Sequence, residues 1–328
     1  MFLWNRFATY AFSTSLGIAC LLASTFPLNG QDIQDRIQAV TNNLNQNQTY
    51  LLAYKFSPDE QLTWNVEHTA KTKTQMAAVT EASSVRTISG KRWIVKSIAP
   101  NGDTTFVNRI DSISMWQQID DKDPVAYDST KDQSPPPEFT GVDEKINKPL
   151  AVITVSKSGK ILDRKSKGHQ SKFGVGDICT PLPDQAVPVG YRWYVPTSFS
   201  ATEEGGKKLQ LKARVNYQLT KVKEDKAYIS FKTEVLTPIE SEKVHSQLLQ
   251  QLTDGYLVFD ITAGRRIRKE VEWNEKVQGY EGPDSFLQYT GRMTETYTAK
   301  RRKVSTKMDA PRQSATIRQI DDAPIIRK

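Results

Sequence analysis

The chain has 328 residues, 38% of them hydrophobic and 9% aromatic, with two cysteines and three histidines. That composition suits a soluble body of about two ordinary domains, and it excludes a disulfide-dense scaffold or an imidazole-rich metal centre. The formal net charge of +8 sits mainly at one end: residues 300–328 hold nine basic residues against three acids, and residues 31–299 come to +1. A body so near neutrality has no long-range field to steer a polyanion, so nucleic acid is not an expected partner.

Residues 1–30 follow the plan of a bacterial export signal. Arg6 supplies the positive end, an apolar stretch runs from Phe7 to Leu22, and Gly30 precedes the polar switch at Gln31-Asp32. Export to the periplasm, envelope or medium is therefore expected. Cys20 follows the small residue Ala19, as lipoprotein processing requires, but the chain stays apolar after it. Cys20 is thus either a lipidation site or an ordinary signal-peptide cysteine.

After the signal, Ile33, Ile37, Val40 and Leu44 recur at helical spacing and predict a short amphipathic helix over 31–46. Beyond it alternation dominates. Leu62, Trp64 and Val66 fall on one face of a strand, and the same period recurs in Leu209-Leu211-Ala213-Val215, Tyr228 to Phe231, Ile267 to Trp273 and Leu287 to Met293. Three glycine turns separate such strands: Asn101-Gly102, Ser158-Gly159 and Ala263-Gly264. Residues 239–252 read as a strand by context, although Val244, Leu248 and Leu252 also fit a helix.

The expected fold is mainly β: two similar antiparallel units, curved sheets or half-barrels, over 47–163 and 189–299. Lys, Gly, Pro and Asp mark 164–188 as a linker, and 300–328 reads as a disordered basic tail. The similarity of the units rests on Trp93-x-Val95-x-x-Ile98-x-x-Asn101, echoed by Tyr217-x-Leu219-x-x-Val222-x-x-Asp225. All antiparallel meanders share such hydrophobic and turn types, so duplication and coincidence both account for it.

Candidate chemistry is sparse. No Gly-x-Ser-x-Gly, phosphate loop, His-Glu-x-x-His or Cys-x-x-Cys occurs. Cys179 could pair with His68, His169 or His245 as a nucleophile, yet nothing beside it supplies the cations or helix end that activate a thiol. A packed structural cysteine is the plainer reading. The acids Asp120, Asp121, Asp123, Asp128, Asp132 and Glu138 crowd around Pro135-Pro136-Pro137 without the register of a calcium loop, and read as solvated. No metal and no cofactor is expected. Trp64, Trp93, Trp116, Trp193 and Trp273 lie in strand patterns, as core residues or as the wall of an apolar ligand site. The run Lys300, Arg301, Arg302, Lys303 suits an anionic membrane surface.

The succession Tyr54-Lys55-Phe56, Tyr127-Asp128-Ser129, Ile153-Thr154-Val155-Ser156 with Ser158-Gly159-Lys160-Ile161, Leu182-Pro183 with Val189-Gly190-Tyr191-Arg192-Trp193, and Phe259-Asp260 with Gly264-Arg265 resembles an uncharacterised family of exported bacterial β-rich proteins with a domain of unknown function. The resemblance implies an envelope or secreted β protein, often a lipoprotein, and brings no catalytic residue. At the level of fold the units also resemble the half-barrels of periplasmic lipoprotein carriers. The expected function is non-catalytic binding of an apolar or polymeric ligand or an envelope partner. The alternatives are an assembly module docking through sheet edges or tail, and a hydrolase without a recognisable motif.

Overall fold

The computed structural model describes residues 48–166 and 179–298. The export segment with Cys20, the helix expected over 31–46 and the basic tail with Lys300, Arg301, Arg302 and Lys303 lie outside the described residues. So does His169.

Fourteen strands are present in this described part. They are β1 (Thr49–Tyr50), β2 (Gln61–Met76), β3 (Val79–Ile98), β4 (Thr104–Ile119), β5 (Val125–Asp128), β6 (Ala151–Val155), β7 (Ile161–Ser166), β8 (Val187–Pro188), β9 (Arg192–Thr202), β10 (Lys208–Lys223), β11 (Lys226–Val235), β12 (Asp254–Asp260), β13 (Arg265–Gln278) and β14 (Ser285–Tyr297). Two short helices interrupt them, α1 (Thr140–Asp143) and α2 (Glu242–Ser246). The fold is mainly β, as expected.

Twelve of the strands form one open antiparallel sheet in the order β7-β6-β4-β3-β2-β14-β13-β12-β11-β10-β9, with β5 also on β4. Each half of the sequence is an up-and-down meander, and the anticipated glycine turns make its hairpins. Gly102, Gly159 and Gly264 all have positive φ. The meanders meet where β2 pairs with β14, from Trp64↔Tyr297 to Met76↔Ser285.

Alternation assigns the faces. In β2, Leu62, Trp64, Val66, His68 and Ala70 are buried and their neighbours are not. One core cluster joins β6 residues near one sheet edge (Ala151, Ile153, Val155) to Leu219 of β10 near the other. Both pack on Leu52, Tyr54, Cys179, Leu182 and Val187, so the sheet wraps around two chain segments laid along its inner face. Those segments are stitched in by backbone bonds, Tyr54 N to Lys157 O at 3.1 Å and Leu182 N to Ser158 O at 2.7 Å. The Tyr54 hydroxyl accepts from Thr180 N at 2.8 Å and donates to Thr180 O at 3.2 Å. Burial holds its phenol well above the ordinary range.

Two readings change here. Residues 179–188, within the stretch read as a linker, send Cys179, Leu182 and Val187 into the core while residues 184–186 stay exposed, and β8 pairs with β1. Polar composition misled because the apolar residues that pack are few and spaced singly. Residues 242–246 form helix α2 and not a strand. Val244 and Leu248, four apart, pack with Ala201 and Leu211, and the next residue, Leu249, packs with Ala70, Val277 and Tyr289. Helical spacing decided over context because it lets one short element cover two parts of the inner face.

The inner face also holds charge. Arg266 Nη2 donates to Glu295 Oε2 at 2.5 Å, and Lys91 Nζ lies 3.6 Å from the same oxygen. All three side chains are at most 2% exposed, so the contact is shielded from water and salt. Lys91 also stands 5.6 Å from the Trp93 ring centroid.

The filler segments press closely on the glycines of two turns, Gly159 and Gly264. A Cβ on Gly159 (φ +82°) would lie 2.5 Å from the Tyr54 ring and 2.7 Å from Thr180 O, whereas one on Gly190 (φ +90°) meets nothing within 4 Å. Both Ala substitutions carry the left-handed backbone cost of about 1 kcal/mol, and Gly159→Ala adds roughly 2 kcal/mol of overpacking. Urea denaturation of the two variants should therefore separate them, with G159A the less stable; equal stabilities would contradict the packing of Tyr54 against this turn.

Candidate functional site

Register carries the outer face. Partners opposite one another in an antiparallel ladder share a face, so the pairs Trp116↔Arg86, Arg86↔Thr69, Thr69↔Arg292 and Arg292↔Glu272 form one row across β4, β3, β2, β14 and β13. A second row, Gln118↔Ser84, Ser84↔Lys71 and Lys71↔Thr290, runs beside it. Small side chains at Thr69, Ser84 and Ser114 sit between the larger Trp116, Arg86 and Arg292. The result is a groove of about 840 Å³.

The lining includes Lys71, Arg86 and Arg292 and no carboxylate. Two of these cations are held from outside the groove. Arg86 donates through Nε and Nη2 to Glu67 Oε1 at 3.0 and 2.8 Å, and Arg292 donates to Glu270. Lys71 makes no ion pair among the described residues. Hydroxyls of Thr69, Ser84, Ser114 and Thr290, the Gln118 amide, the Trp116 indole and the apolar Ile88 and Met115 are also in the wall. Such a surface can accept an anionic group, offer hydrogen bonds to hydroxyls and stack against a flat ring.

Glu270 is the anchor of this arrangement. It is almost fully buried on the outer face and accepts from Arg268 Nε at 2.7 Å, and from Tyr256 and Arg292. Burial works against its charged form, but the bonds from Tyr256, Arg292 and Arg268 outweigh it and hold the carboxyl at about 2. The same bond raises the Tyr256 phenol.

The residues singled out in the sequence do not form a catalytic group. Cys179 is a buried thiol, not part of a disulfide, in the same core cluster as Tyr54. His68 is buried elsewhere, its Nε2 3.3 Å from the Tyr289 hydroxyl and its ring 5.7 Å from Trp273, and burial lowers its pKa. His245 lies on α2, 3.6 Å from Glu242. In the acidic loop, Asp128 is tied to Thr130 and Lys131, Asp132 accepts from Asp128 N, and Asp143 accepts from Tyr127. Among the described residues no three His, Cys, Asp or Glu side chains gather as metal ligands do.

Trp64 and Trp93 are buried in the core, and Trp193 and Trp273 pack against it. Trp116 is different. It lies on the outer face because a bulge at Asp111, where the β3 partner steps from Lys91 to Gly90, reverses the alternation of β4. Ile110 and Ile113 are both buried, three residues apart, and that broken spacing was the available signal.

No family model and no curated protein matches the chain. Among solved structures, one of lipovitellin, described for its lipid–protein interactions, is similar at 8% identity and a TM-score of 0.38, over 75% of this chain and 26% of that one. The chain thus spans about a quarter of the length of the structure it matches.

The Glu270 carboxyl titrates lower in the folded chain than its usual 4.5. Its contribution is therefore complete above about pH 4.5 and disappears as pH falls towards 2. Glu270→Gln should cost about 1–2 kcal/mol at pH 7, discounted for the solvent around its arginines, and almost nothing near pH 2. Chemical denaturation of both proteins across that range checks this; a pH-independent difference would contradict it.

Proposed function

We propose that the protein is an exported, non-catalytic binding protein of the cell envelope, and that it holds a polymeric ligand against the outer face of its sheet. The observation that carries this reading is the groove itself, an open channel crossing several strands and lined by three cations, four hydroxyls and an indole without a carboxylate. An open channel suits a chain that enters and leaves at both ends, whereas a small apolar ligand calls for enclosure.

The inner face supports the same choice. Apolar ligands bind where a concave sheet leaves room, and here that face is covered by Leu52, Tyr54, Cys179 and Leu182, by α2 and by the segment around Phe139. Of the carboxylates beside the groove, Glu67 and Glu270 are committed to arginines, and Glu272 lies 3.9 Å from Arg292. That favours binding over acid–base hydrolysis, which needs one carboxyl able to give up a proton near neutral pH. Export rests on residues 1–30 and the near-neutral body on composition, so recognition acts locally, at the groove, rather than through net charge.

Affinity electrophoresis and calorimetry of the mature chain against soluble polysaccharides, acidic and neutral, test the reading. At least one polymer should bind, and Trp116→Ala should weaken it by about tenfold, the loss of one ring contact. Retardation by none of them, or unchanged binding by W116A, would overturn it.

A further inference from the structure

The row that begins at Trp116 does not stop at Glu272. Register continues it through Glu272↔Asp254, Asp254↔Lys232, Lys232↔Asn216 and Asn216↔Tyr194, so nine adjacent strands contribute one residue each from β4 to β9. At the far end is a second groove of about 550 Å³, whose lining includes Arg192, Tyr194, Arg214, Asn216, Lys232 and one carboxylate, Asp254. Tyr194 is 61% exposed, and Arg214 stands 5.7 Å from its ring centroid. Arg214 and Asn216 are fixed by Glu234, at 2.8 and 2.7 Å.

The two ends thus share an exposed or half-exposed ring on the outer row, three cations and side-chain amides, and the second adds one carboxylate, Asp254, paired with Lys232. Along the row the carboxylates are compensated, Asp254 of the second groove by Lys232 at 3.1 Å and Glu272 by Arg292 at 3.9 Å. An anionic chain crosses this stretch without net repulsion. Eight strand spacings of about 4.8 Å place the rings roughly 40 Å apart along the sheet.

Resting on the reading that the outer groove takes a polymer, we infer that the polymer is an acidic polysaccharide bound at two subsites, Trp116 with Lys71, Arg86 and Arg292, and Tyr194 with Arg192 and Arg214. A sugar ring stacks on the aromatic face, its hydroxyls meet Ser84, Ser114, Gln118 and Asn216, and its carboxylates meet the guanidinium groups. Single-stranded nucleic acid fits less well, because it uses successive aromatic platforms for successive bases, whereas each subsite has one ring on the outer row and Trp193, Tyr217 and Phe231 of the second pack on the core.

The test uses the mature full chain with polygalacturonate, trigalacturonate, dextran and oligo-dT. A trimer reaches one subsite and the polymer reaches both, so polygalacturonate should bind about 100-fold more tightly than the trimer through effective concentration. Tyr194→Ala should bring the polymer to within about tenfold of the trimer. Circular dichroism should show the variant folded, as expected for an exposed position. Equal polymer affinity for wild type and Y194A overturns the second subsite. Dextran binding without polygalacturonate binding, or oligo-dT binding as tightly as polygalacturonate, overturns the acidic polysaccharide while leaving the groove reading in place. Binding of no polymer at all removes that reading and this one together.

Discussion

β2 and β14 stand at opposite ends of the folded chain, and their ladder turns two separate meanders into one sheet. Everything distinctive about the molecule depends on that pairing. It places Thr69 of the first half beside Arg292 of the second, which makes the floor and one wall of the outer groove. On the other face it brings Glu295 within reach of Lys91 across the intervening strand, and Glu295 already holds Arg266. Closing so long a loop carries a large entropic cost, offset here by thirteen register pairs and by the aromatic contact of Trp64 with Tyr297.

The wrapped sheet then has to fill its own inside. An open sheet of this length exposes far more apolar surface than one small helix can cover, and the chain answers with its connections: residues 50–56, the stretch 179–187 and the turn after α2. Bringing irregular backbone into a core requires partners for its polar groups. Tyr54 with Thr180, Leu182 with Ser158 and Lys55 with Gly264 supply them. With the interior occupied in this way, the grooves at Trp116 and Tyr194 lie on the outer face, and buried Glu270 rather than solvent arranges charges beside the first.

Local features were the ones legible in the sequence. Glycine turns at 102, 159 and 264 and the alternation of β2, β10 and β13 follow from backbone sterics and from the two-residue period, both of which act within a few residues. The pairing of β2 with β14 left no such trace, because any two alternating strands can be neighbours. Trp116 was legible only as a strand tryptophan. Its assignment to the outer face turns on the Asp111 bulge, which one broken interval between Ile110 and Ile113 announces. The charge count also gained meaning: a near-neutral body hides two cationic grooves, because all but one of the acids that pair with their cations lie outside the lining, Asp254 being the one within.

The central claim is that the outer face, and not the filled interior, meets the ligand. Hydroxyl-radical footprinting of the mature chain with and without polygalacturonate reads both faces at once. The account predicts protection of Trp116 and Tyr194 with no change at Trp64, Trp93 or Phe106. Unchanged labelling of Trp116 and Tyr194, with altered labelling of the interior aromatics, would contradict it.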